Sequence, residues 1–137
     1  MYYPRKARTL IRRYRTSCPY DIASSLRIHV RFEDLPHHVR GFYTKMLRRR
    51  FIVINSSLPD EWKRFVCAHE IAHSCLHPGL GYYFIEEHTL LVPGKYEREA
   101  NRYAVDMLTD GEVIRESEPL ESYYSRCNIP KDIIGKI

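Results

Sequence analysis

Five consecutive residues, His69-Glu70-Ile71-Ala72-His73, have the types and spacing that metal-assisted hydrolysis requires. In an α-helix, positions i and i+4 project from one face, so His69 and His73 can each offer an imidazole nitrogen to one zinc ion. Glu70 stands about 100° round the helix from His69, beside the coordination position left open, where a carboxylate can take a proton from water. The competing reading is two neutral core histidines satisfied by backbone carbonyls. A third ligand separates the two readings, because a catalytic zinc takes three protein ligands and keeps one position free.

Three routes to that ligand can be weighed. The metzincin pattern would need glycine at position 76 and histidine at position 79, where the chain has Leu76 and Gly79. His77 shares the helical face but lies about 12 Å along the axis from His69, too far to share one small ion on a regular helix. A carboxylate from a following helix remains, with Glu86, Glu87, Glu97, Glu99 and Asp106 as candidates. Glu97 is the best placed. Asn101 follows it by one turn and could hydrogen-bond a ligand histidine from outside the coordination sphere, while small Ala100 and Ala104 permit a close helix approach. Glu99 points about 160° away from Glu97 and reads as a solvated acid.

The elements that must position these groups follow from periodicity. Residues 5–18 repeat apolar positions at helical spacing (Ala7, Leu10, Ile11, Tyr14, Cys18) until Pro19 stops them, and Asp21 could cap a short helix over 22–26. Arg27 to Phe32 alternates as a half-buried strand, with His29 on its solvent side. His37 and His38 fall in the loop that follows. Strands over 42–47 and 51–55 are joined too closely for a parallel crossover, so three strands in an antiparallel meander are expected. Pro59, Asp60 and Glu61 suit the start of the motif helix, which Pro78-Gly79 should end. A long loop over 79–95, with a short strand at 89–92, precedes a helix from Tyr96 whose apolar face is Ala100, Tyr103, Ala104, Met107 and Leu108. Helices over 111–116 and 120–127 and a turn after Pro130 complete the chain.

HEIAH at 69–73 followed by EREANRYA at 97–104 resembles the ImmA/IrrE family of metallopeptidases. Upstream segments share the likeness: Pro19-Tyr20-Asp21-Ile22-Ala23, Asp34-Leu35-Pro36, Gly41-Phe42-Tyr43 and Ile52-Val53-Ile54-Asn55. The resemblance implies an α+β, zincin-like (thermolysin-like) domain over residues 1–137, with a three-stranded sheet against the zinc-binding helices. It implies one zinc on His69, His73 and Glu97, Glu70 as general base, and a helix-turn-helix repressor of mobile-element or stress genes as the cleaved partner. The chain departs from the family's Leu-Met-Pro at the end of the second helix, where it has Met107-Leu108-Thr109-Asp110. Tyr82 and Tyr83 are candidate oxyanion donors.

Composition bounds the alternatives. At 137 residues and 44% hydrophobic content, the chain suits one core, and no apolar run approaches the length of a membrane helix. The basic amino terminus lacks the apolar core of a secretory signal, so the cytoplasm is expected. Four cysteines without a CxxC pair read as free thiols, Cys67 and Cys75 as small core filler. Residues 1–68 carry 15 Lys/Arg against 5 Asp/Glu, and residues 69–137 carry 7 against 12. That basic half keeps a nucleic-acid-binding protein among the readings, beside a zinc-containing regulatory module that holds a protein partner without cutting it.

Overall fold

A computed structural model of the chain describes residues 5–77, 83–86 and 94–135, the side chains of Arg5 and of 83–86 excepted. Helices α1 (Arg5–Tyr14) and α2 (Pro19–Ser25) lead into strands β1 (Ile28–Glu33), β2 (Val39–Met46) and β3 (Arg49–Asn55). Then come helix α3 (Asp60–Leu76), strand β4 (Tyr83–Glu86) and helices α4 (Lys95–Leu108), α5 (Leu120–Arg126) and α6 (Lys131–Ile134). Among the described residues no helix is long and apolar enough to cross a membrane.

The sheet is mixed and has the order β1-β3-β2-β4, which corrects the expected three-stranded antiparallel meander. β2 and β3 do form an antiparallel hairpin, with Met46 opposite Arg49. Leu47 and Arg48 both have positive φ, 49° and 67°, so the two-residue turn has the twist that matches its strands despite lacking the usual Asn-Gly. β1, however, pairs parallel with β3, from Ile28 opposite Arg50 to Glu33 opposite Asn55. β4, which falls inside the expected loop, adds antiparallel to β2. The expected strand at 89–92 lies outside the described residues.

Helix boundaries shift for identifiable reasons. Pro19 opens α2 rather than merely closing α1, since its fixed φ suits the first helical position and its missing N–H costs nothing there. Pro59 is the N-cap of α3, with Asp60 and Glu61 in the first turn facing the positive end of the helix dipole. Asn55 does not cap that helix. Its buried amide instead donates to the carbonyls of Leu35, Pro36 and Val39 (3.2, 3.3 and 2.9 Å), while its oxygen accepts from Ser57 N and Oγ. One side chain thereby ties the β1–β2 connection to the end of β3. The helix expected over 111–116 is absent: Gly111 is left-handed at φ 82°, and the stretch is turn and coil.

The core lies between the sheet and α3, with α4 packed on α3. Ile52, Ile54, Phe65, Val66, Ala68, Ile71 and Ala72 are fully buried against Ala100, Tyr103, Ala104 and Met107. Alanines at 68, 72, 100 and 104 let the two helices approach closely. Gly41 serves the sheet side in the same way, since a Cβ there would stand 2.5 Å from Val66 Cγ1 and 2.6 Å from Val53 O. All four cysteines are free; Cys67 is core filler as expected, but Cys75 is exposed.

Candidate metal centre

α3 and α4 bring three of the expected residues to one point. His69 and His73, one turn apart on α3, aim their Nε2 atoms at Glu97 in the first turn of α4, at 3.0 Å to Oε2 and 2.8 Å to Oε1. The two Nε2 atoms stand 3.1 Å from each other, and one ligand atom from each of the three residues falls within 4.8 Å of the others. Both imidazoles are buried, whereas 19% of the Glu97 side chain meets solvent, so the cluster opens outward on the α4 side.

The hydrogen bonds fix the tautomer of His69 and are compatible with the same tautomer at His73. Asn101 Oδ1, an amide oxygen that only accepts, lies 2.8 Å from His69 Nδ1, which must therefore carry the proton. The Nε2 lone pair is then left pointing into the cluster. His73 Nδ1 is 3.0 Å from His77 Nδ1. With His73 as donor, its Nε2 also offers a lone pair to the same point. Two lone pairs and a carboxylate converging on one small space make a donor set suited to zinc.

Burial drives the titrations. His73 is pushed down to about 4 by desolvation, which outweighs its hydrogen bond to Glu97. Burial alone would raise Glu97, but hydrogen bonds that His69 and His73 donate when their Nε2 atoms are protonated hold its carboxyl well below the usual range. Glu70 goes the other way: burial first, and then the charge of Glu97, raise it well above an ordinary carboxyl. Glu70 is fully buried, and neither carboxylate oxygen has a hydrogen-bond partner among the described residues. A buried group left so is costly and calls for a polar or cationic neighbour.

Other candidates fall elsewhere. His77 is the C-cap of α3, its backbone N–H bonded to His73 O, and its ring packs between His73 and Tyr96 at centroid distances of 5.2 and 4.5 Å. It reaches the cluster as a neighbour of His73 rather than across 12 Å to the shared point. Glu99, expected to be solvated, instead turns toward His77, with Oε1 3.7 Å from Nε2 and its side chain largely buried. Asp106 pairs with Arg102 away from the cluster. His29 stacks on Phe51, and His37 and His38 are exposed in a turn. Glu87, Tyr82 and the side chains of Glu86 and Tyr83 lie outside the described residues.

Comparison with known proteins gives the family. Residues 23–131 match the peptidase M78 family, described as the IrrE N-terminal-like domain. The chain is 42% identical over 112 residues to the uncharacterized immunity region protein 2 of Bacillus phage phi105, covering 82% of this chain and 71% of that protein. It is 25% identical over 126 residues to the metallopeptidase ImmA of Bacillus subtilis (strain 168), covering 90% of this chain and 73% of that one. No solved structure matches. With the family model spanning both cluster-bearing helices, the chain belongs to the ImmA/IrrE family of metallopeptidases.

Proposed function

We propose that this chain is a zinc-dependent endopeptidase built as one zincin-like domain, with His69, His73 and Glu97 holding a single zinc ion and Glu70 acting as general base. The convergence of two histidine lone pairs and a carboxylate beside the unpartnered oxygens of Glu70 carries the proposal. Bound zinc would supply Lewis acidity, polarising the scissile carbonyl and making water there a better nucleophile. The chain's own residues do the rest. Asn101 holds His69 in the tautomer that leaves Nε2 free, and His77, by accepting from His73 Nδ1, would do the same for His73. Glu70, on the same helix, accepts the proton of the attacking water and delivers it to the leaving amine. Its walled-off position excludes bulk water from that transfer and keeps its basicity high.

The substrate in this reading is a helix-turn-helix repressor of a mobile element, cut in the cytoplasm, and similarity to a protein named for a phage immunity region supports the link to mobile elements. The test is elemental analysis of wild type, Glu97→Ala and Glu99→Ala, with Glu70→Gln assayed for cleavage of a candidate repressor. Near one zinc per chain, lost with Glu97→Ala and kept with Glu99→Ala, is expected. Glu70→Gln should retain zinc and lose cleavage. A metal-free wild type would remove the zinc site, and a Glu70→Gln protein cutting at wild-type rate would remove the base.

A further inference from the structure

β1 is an edge strand, and beside it runs a groove of about 980 Å³ between the strand, α2 and the start of α3. Glu33 O accepts from Ser56 N beyond the end of β3. In a parallel ladder the odd-numbered residues of β1 thus face β3, which leaves the N–H and C=O of Ile28, Val30 and Phe32 turned outward. Among the described residues no strand covers them. Tyr20, Val30 and Phe32 give the groove an apolar floor, and Phe32 is 47% exposed where a strand interior would hide it. Tyr20 meets the Phe32 ring edge-on at 5.9 Å.

The rim is cationic. Arg27, Lys63 and Arg64 line the groove against a single acid, Asp60, and none of the three has a carboxylate within ion-pair distance among the described residues. The Lys63 ammonium rests over the Phe32 ring at 5.7 Å.

We propose that this groove docks an extended, acidic segment of a protein partner, which adds to the sheet as a strand beside β1. Outward backbone groups supply the pairing, Tyr20 and Phe32 receive apolar anchors, and Lys63, Arg64 and Arg27 select acidic side chains. An open ladder edge and an apolar floor favour a polypeptide over a nucleic acid, whose backbone offers no strand to pair. Arg64 lies five residues before His69, about 7.5 Å along α3, so the groove is separate from the metal cluster. The proposal stands independently of the hydrolytic reading.

The test uses the full chain carrying Glu70→Gln and two fluorescein-labelled decapeptides, one alternating Glu and Val, the other Lys and Val, read by fluorescence polarisation. The Glu-Val peptide should bind, more weakly as salt rises, and the Lys-Val peptide should not. Lys63→Glu with Arg64→Glu should weaken binding at least tenfold. Val30→Pro should do the same, because it removes an outward N–H and leaves the pairing to β3 intact; Lys131→Glu, on α6, should change nothing. Melting curves check that each variant folds, and the charge pair stands alone if Val30→Pro does not. The proposal is overturned if the Glu-Val peptide fails to bind or both peptides bind alike. Indifference to the rim and edge variants, or displacement by a short single-stranded DNA, overturns it too. Since no turnover is read, failure here leaves the zinc assays untouched, and failure there leaves this binding untouched.

Discussion

The buried carboxyl of Glu70 gives the metal-free chain a pH dependence that one isosteric substitution isolates. Burial, then the charge of Glu97, raise its folded-state pKa well above the carboxyl range. In the unfolded chain the same group ionises at about 4.3. Between the two values the folded chain keeps a proton that the unfolded chain has released, so each pH unit upward costs the folded state about 1.4 kcal/mol. Glu70→Gln retains the shape and does not titrate, and the cost of its buried amide is the same at every pH. His73 acts in the opposite sense. Because its folded-state pKa lies at about 4, unfolding takes up a proton below about 6.5, and stability falls with acidification in both proteins alike. The difference between them therefore reports Glu70 alone. Thermal melts of EDTA-stripped wild type and Glu70→Gln between about pH 5 and about pH 8 should show the variant gaining on wild type by roughly 4–7 °C per pH unit for a chain of this size, levelling off once the folded-state pKa is passed. Parallel curves across that window would refute the argument that Glu70 is buried without a stabilising partner.

Two further outcomes follow from the same geometry. Asn101→Leu and His77→Leu each free one imidazole from its orienting partner, and each should weaken zinc binding by about 10- to 100-fold in competition titrations while the fold persists. Gly41→Ala places a methyl against Val66 and the Val53 carbonyl and should cost about 1–3 kcal/mol, seen as a lower urea midpoint at unchanged slope.

The candidate site was legible because its chemistry is written at helical spacing. His69 and His73 are one turn apart, and Glu97 and Asn101 are one turn apart, so each pair shares a face whatever the helices do in space. Only the docking of α4 on α3 had to be supplied, and the alanines at 100 and 104 signalled it. The sheet was legible only where contacts are local. The β2–β3 hairpin follows from its short connection, but its turn residues, Leu47 and Arg48, carry none of the usual left-handed preference and read in sequence as strand and linker. The parallel pairing of β1 with β3 leaves no local trace, since it joins strands with another strand between them in sequence. β4 was missed although Tyr83-Phe84-Ile85 has strand-forming side chains, because four residues in a long connection fall below what alternation can reveal. The roles of His77 and Glu99 depend on a contact between the end of α3 and the start of α4, which neither helix shows alone.

The insertion of β3 between β1 and β2 also dictates an order of assembly. The β2–β3 hairpin closes a two-residue loop and can form early, whereas β1 must wait for a partner whose first paired residue lies 22 positions further along the chain. A nascent chain that has reached only residue 48 holds β1 and β2 without any ladder between them, each with both edges bare. Arrival of residues 49–55 gives both strands a partner along one edge at once, so the seven residues of β3 act as a latch, and the burial of Ile52 and Ile54 that follows completes the surface on which α3 can settle.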